Sequence, residues 1–122
     1  MNDLETALNQ ARQHLRSSER QLADLADWLY AALQTLTVVG FVEPDCVTIA
    51  DQAGALAFNQ AGQSCTLTVN PIRKCFSVEV LLPTSQSMWI QDHPARNVNE
   101  LQETLTSLAP FWLRHYTGLR KA

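Results

Sequence analysis

Cysteine and glycine are both scarce in this chain, and the few that are present form no pattern of a known site. The cysteines are odd in number and include no C-x-x-C pair, standing at Cys46, Cys65 and Cys75. Such a set argues against a disulfide framework and fits reduced thiols in a cytoplasmic protein. The four glycines form no P-loop and no dinucleotide-binding fingerprint, and no G-x-S-x-G elbow occurs. We therefore predict that the protein uses no cofactor.

Positive charge is also in short supply. Nine Lys and Arg stand against twelve Asp and Glu, which gives a formal net charge of −3 and a pI near 5.5. This balance provides no general attraction to nucleic acid or to anionic membranes. The sequence has no uninterrupted apolar run of about 18 residues, the length that crosses a bilayer. Its first residues include acids where a signal peptide carries bases, so we expect a cytoplasmic location.

What the chain does have is a leucine at every seventh position near its start. Leucine, alanine, glutamine and arginine dominate this stretch and no proline interrupts it. We therefore predict one long helix over about 3–36, which Gly40 or its turn ends. The heptad leucines form a continuous seam on that helix, at Leu8, Leu15, Leu22, Leu29 and Leu36.

The two halves of the predicted helix differ in the width of their apolar stripe. From Leu22 onward the stripe is broad and typical of packing on a core, whereas up to about Arg20 it is narrow and typical of one helical neighbour. We expect the first half to give a homodimer. Its candidate self-association residues are Leu4, Leu8, Ala11, Leu15 and Ser18. Packing of this half on the chain's own last helix stays open as an alternative.

Four segments of alternating apolar residues follow and predict an antiparallel meander. We place its strands at about 45–50, 55–59, 64–70 and 75–82. The alternation of inward and outward residues fixes the register of the last hairpin. Pairing Val69 with Phe76 sets buried positions of the two strands against each other, whereas a one-residue slip would expose the whole buried face of one strand. The loop is then 71–74, a common length for a type I turn. The outward residues of these two strands include Thr66, Thr68, Ser77 and Glu79.

A loop or short edge strand over residues 83–96 and a second helix over about 98–117 complete the predicted fold. Asn97 is the expected N-cap of that helix, with Glu100 three residues later, and Pro110 is expected to kink or split it. Large apolar residues between polar flanks either cover the core or contact a partner. The candidate partner contacts are Met88, Trp89 and Ile90 in the loop and Trp112 and Tyr116 in the helix.

Arginine recurs at every fourth position along one flank of the predicted N-terminal helix. The row consists of Arg12, Arg16 and Arg20. It suits recognition of an acidic partner or a phosphate backbone, but a solvated helix face is the interpretation that we favour. This row is the basis of an alternative function, a dimeric nucleic-acid-binding regulator.

Groups with catalytic character are few. Cys75 follows Arg73 and Lys74, and basic neighbours favour a reactive thiolate. Asp92 precedes His93 and could polarise a proton on it. The three histidines form no i,i+4 pair and no cluster with zinc-ligand spacing, so we expect no metal. A small enzyme that uses Cys75 or His93 is a second alternative.

Together these patterns predict an α+β fold with a long N-terminal helix, a four-stranded antiparallel meander and a C-terminal helix. We expect both helices to cover one face of the sheet. A length of 122 residues with 46% apolar residues is enough for one domain, 1–122, with its own core. Because no catalytic constellation is present, we expect a non-enzymatic protein-binding module, such as an adaptor, inhibitor or chaperone-like regulator. Its expected partners are a second copy of itself and another protein.

Overall fold

The computed structural model describes residues 3–14, 19–50, 53–60, 63–81 and 88–115 and has an α+β architecture. Three helices and five strands occur within these residues. In chain order they are α1 (Asp3–His14), α2 (Glu19–Val39), β1 (Cys46–Ile49), β2 (Gly54–Gln60), β3 (Gln63–Asn70), β4 (Cys75–Leu81), β5 (Met88–Pro94) and α3 (Val98–His115). The predicted α+β class with an antiparallel sheet is confirmed.

The prediction of one long N-terminal helix is wrong, because two helices stand in its place. At 1.5 Å per residue, a straight helix would hold Leu8 and Ala26 about 27 Å apart. Instead, residues of α1, including Leu8, and residues of α2, including Ala26 and Tyr30, line one groove. Helix α1 therefore lies alongside α2, and it also contacts β1. The heptad leucines misled the prediction because two packed amphipathic helices bury the same stripe spacing as one continuous seam.

Helix α2 ends in a Schellman motif around Gly40. Gly40 has a φ of +119°, a conformation that residues with a Cβ rarely adopt. The amide of Phe41 donates to the carbonyl of Leu36 at 2.9 Å, and that of Gly40 to the carbonyl of Thr37 at 3.2 Å. These bonds satisfy the last carbonyls of the helix and turn the chain toward the sheet.

The five strands form one sheet in the order β1-β2-β3-β4-β5, with antiparallel pairing throughout. The predicted hairpin register is confirmed, since Val69 pairs with Phe76 and Cys65 with Val80. The loop between β3 and β4 occupies residues 71–74, as expected. The backbone amide of Arg73 donates to the side-chain oxygen of Asn70 at 3.0 Å, which closes this turn.

Strand β5 corrects the prediction of four strands, and it shows that Met88–Pro94, within the stretch predicted as a loop or short edge strand, is an edge strand. Its residues pair with β4 from Met88 opposite Leu81 to Pro94 opposite Cys75. Residues 82–87 lie outside the described part of the chain. The alternation of apolar and polar residues that marks the other strands fails in β5. Polar Gln91 occupies a position opposite buried Val78, where the pattern would require an apolar residue. An edge strand is covered on one side only, so it tolerates polar residues at such positions.

Helix α3 begins with the expected cap. The side-chain oxygen of Asn97 accepts a hydrogen bond from the amide of Glu100 at 2.9 Å. The carboxylate of Glu100 pairs with exposed Arg96 at 3.0 Å. Pro110 lies inside a helix that continues to His115, so the predicted split does not occur. The predicted end of this helix at about 117 lies outside the described residues.

One hydrophobic cluster contains residues of all three helices and of strands β2, β3 and β4. From the strands it takes Leu56, Phe58, Cys65, Leu67, Val69, Phe76, Val78 and Val80, all nearly fully buried. From the helices it takes Leu4, Leu8, Leu25, Trp28, Leu29, Leu101, Leu105 and Trp112, among others. Phe41 packs edge-to-face on Phe58 with ring centroids 5.7 Å apart. The alternate positions of the strands keep part or all of their exposure.

Candidate functional site

The residues predicted for self-association belong to the chain's own core. The exposed fractions of Leu4, Leu8 and Ala11 are 0%, 5% and 4%, because α1 is covered by α2 and β1. Leu15 and Ser18 lie outside the described residues. These core side chains therefore have almost no surface left to offer a second copy. Self-association itself stays a prediction.

The predicted partner contacts are divided between the surface and the core. Ile90 is 53% exposed, whereas Trp112 is 2% exposed and belongs to the core cluster. Met88 and Trp89 are strand residues of β5, and their side chains lie outside the described part, as does Tyr116. Of this set, Ile90 is the described residue that presents an accessible side chain.

The arginine row does not form on one helix. Arg12 lies near the end of α1 and Arg20 near the start of α2, while Arg16 lies outside the described residues. Both described arginines are exposed. One terminal nitrogen of Arg12 donates to the side-chain oxygen of Asn9 at 3.1 Å. The regular spacing that suggested a phosphate-binding row therefore does not correspond to a straight line of charges.

The two candidate catalytic residues lie on different sides of the sheet. Cys75 is half-buried at the start of β4 and pairs with Pro94, whereas His93 pairs with buried Phe76. The rings of His93 and Phe76 stack with centroids 5.1 Å apart. A nucleophile and its base must lie within hydrogen-bond reach of each other, and this pairing separates them.

The immediate surroundings of His93 also disfavour its charged form. Burial lowers the pKa of His93 below its usual value, and the negative charge of Asp92 only partly offsets that effect. A nitrogen of the His93 ring lies 2.9 Å from the side-chain oxygen of Gln91.

Burial also raises the pKa of the Cys65 thiol to about 12, so this thiol stays protonated and inert. The described residues contain no group of three His, Cys, Asp or Glu side chains placed to hold a metal ion.

One continuous surface with a distinct composition is the side of the sheet opposite the core positions, here called the outer face. Two rows of paired residues cross all five strands on this face. The first row is Thr48, Ala55, Thr68, Ser77 and Asp92. The second row is Cys46, Ala57, Thr66, Glu79 and Ile90. Antiparallel pairing places these side chains on one side of the pleat.

The outer face is built from small side chains and is free of basic residues in both rows. Its three central strands carry alanine, serine and threonine, all partly exposed, with Glu79 the exception. The charged members, Glu79 and Asp92, both lie on the β4–β5 side. On the opposite edge, the Cys46 sulfur lies 3.6 Å from the Thr48 hydroxyl oxygen. The result is a surface of mostly short side chains with acids along one side.

Sequence reasoning identified part of this surface without recognising it as a candidate site. Strand parity correctly assigned Thr66, Thr68, Ser77 and Glu79 to the outward side. The two complete rows emerge only when β1 and β5 are paired onto the ends of the sheet. The signal available in the sequence was the run of small or hydroxyl residues at every second position of β2 and β3.

Comparison with protein-family models, curated proteins and solved structures gives no match for this chain. Among the described helices, none combines the length and the apolar character needed to cross a membrane.

Proposed function

We propose that this chain is a non-enzymatic protein-binding module, such as an adaptor, inhibitor or chaperone-like regulator, which binds through its outer face. The observation that carries the proposal is the pair of small-residue rows across five strands. In this proposal all three helices cover the opposite face of the sheet and the protein acts in the cytoplasm with reduced thiols.

The side chains of the outer face favour a protein as the bound macromolecule. Alanine loses no side-chain entropy when it is immobilised, and serine and threonine lose little, so a surface built from them is inexpensive to order. Short side chains also allow a second backbone to approach closely. Threonine and serine can supply hydrogen bonds at the contact while the methyl groups of alanine and threonine are buried.

Nucleic acid fits this surface poorly. Binding to a phosphate backbone depends on Lys and Arg, because counterion release supplies most of the affinity. The two rows contain neither residue and include Glu79 and Asp92. Arg12 and Arg20 lie on two separate helices, so no observation on the outer face favours the nucleic-acid alternative.

The proposal is tested by capture with three baits: the wild-type chain and two variants that each carry one Thr→Glu substitution, at different positions. Thr68→Glu places a carboxylate at the centre of the outer face, and Thr106→Glu places one on the exposed surface of α3. Wild-type chain and Thr106→Glu should capture the same protein from cells that express the chain, and Thr68→Glu should lose it. Equal capture by all three baits would contradict the proposal. So would salt-sensitive binding of DNA as the dominant interaction.

A further inference from the structure

We propose that the partner covering the outer face is a second copy of this chain, so that two sheets pack face to face about a two-fold axis. This inference rests on the proposed function and names its partner. It also moves the expected dimer contact away from the N-terminal helix, where Leu4, Leu8 and Ala11 are buried within one chain. The outer face, in contrast, remains accessible.

The area of the outer face is large enough for a specific dimer. The strands are four to eight residues long. With strands about 4.8 Å apart and about 3.3 Å per residue, the face has a projected area on the order of 500 Å². Two copies together would then bury on the order of 1,000 Å², the size at which specific protein interfaces begin. The short side chains of the face help both copies to use this area.

The position of the charges selects the orientation of the second copy. A two-fold axis parallel to β3 places β1 of one copy over β5 of the other. Glu79 and Asp92 then face the uncharged β1–β2 side instead of each other. An axis across the strands would place each acidic side on its own counterpart, and like charges in contact weaken an interface.

This orientation also gives the two rows specific partners. In the first row Thr68 lies opposite Thr68 of the second copy, and the Thr48 hydroxyl faces the Asp92 carboxylate as donor and acceptor. In the second row Thr66 meets its own counterpart, and Cys46 faces the apolar side chain of Ile90. In this orientation the polar ends of the first row meet each other, and so do the apolar ends of the second row. Two sheets packed this way keep their strands within about 30° of each other.

Two of the three native thiols report on this interface without any substitution, once peptide mapping separates their labelling from that of half-buried Cys75. Cys46 is exposed on the outer face, whereas Cys65 is buried in the core. If the face pairs, Cys46 is covered in the dimer and accessible in the monomer. Its labelling by a maleimide should then slow in proportion to the monomer fraction, about tenfold when nine-tenths of the chains are paired. Cys65 should remain unlabelled at every concentration.

The test combines sedimentation velocity with Cys46 labelling over a range of concentrations. Wild-type and Thr106→Glu should associate to dimers with protected Cys46, and Thr68→Glu should dissociate about a hundredfold more readily because two carboxylates meet near the axis. The wild-type measurements decide the question even if Thr68→Glu fails to fold.

The outcomes separate this inference from the proposed function. A monomer that captures a different protein through the outer face would overturn the inference and leave the proposed function standing. A monomer without face-dependent capture would overturn both. A dimer in which Cys46 labels as fast as in the monomer would place the contact elsewhere and would also overturn the inference.

Discussion

Leu29 of α2 lies directly against Gly54 of β2, so close that a Cβ at residue 54 would lie 2.6 Å from the Leu29 Cδ1 atom. The missing side chain lets the helix settle onto the sheet at the start of β2. We expect Gly54→Ala to lower the free energy of unfolding by about 1–3 kcal/mol, because it forces an extra methyl group into a filled space. Urea denaturation followed by circular dichroism measures this loss.

A double-mutant cycle identifies Leu29 as the cause. Leu29→Ala alone removes buried volume and is itself destabilising, but it makes room for a methyl group at residue 54. The double variant should therefore lose less stability than the sum of the two single variants. Additive losses would show that the Gly54 effect comes from the backbone and not from this contact.

The placement of α1 in the core predicts a large cost for shortening its buried side chains. Leu8→Ala should lower the free energy of unfolding by about 2–5 kcal/mol, the usual range for a buried leucine. Glu5→Ala, on the exposed side of the same helix, is the control and should change it by less than about 0.5 kcal/mol. Chemical denaturation of both variants gives the comparison. A Leu8→Ala protein with unchanged stability but a smaller mass in solution would instead support the predicted helix-mediated dimer.

The environment of His93 predicts a loss of stability in mild acid. Burial lowers its folded-state pKa below the ordinary 6.5, and the Asp92 charge only partly restores it. The unfolded chain therefore binds the proton more readily, so the free energy of unfolding should fall as the pH drops through 6.5 toward the folded-state pKa. Above that window this contribution does not vary with pH.

His93→Phe isolates the effect because it keeps an aromatic ring against Phe76 and removes the titrating group. Urea denaturation at about pH 7.5 and about pH 5.5 spans the histidine range while most carboxylates stay ionised. The wild-type chain should lose more stability between these two conditions than the variant does. An identical loss in both proteins would show that other groups cause the pH dependence.

Strand parity predicted a large part of the fold because it is a local property with a strict period. Residues on β3 and β4 alternate so regularly that the sequence alone sets Val69 opposite Phe76. The cap at Asn97 was equally local, since an amide side chain followed three residues later by Glu100 marks a helix start.

The errors came where one pattern fits two tertiary arrangements. Leucines seven residues apart are compatible with one long helix and with two helices that pack on each other, and the groove that Leu8 and Ala26 line together decides between them. In β5, Gln91 breaks the apolar alternation because an edge strand is only partly covered. The outer face could not be predicted as a unit, since it depends on the order of all five strands.

The most direct test of the outer-face dimer is a cross-link at the centre of the face. In a Cys46→Ser, Cys75→Ser background, buried Cys65 is the remaining native thiol. Thr68→Cys places a new thiol where the two copies meet, and Thr106→Cys places one on α3 as the control. With a short bifunctional thiol reagent, the account predicts a covalent dimer for Thr68→Cys and little for Thr106→Cys. Equal cross-linking of the two variants, or none in Thr68→Cys at concentrations where the chain is dimeric, would contradict it.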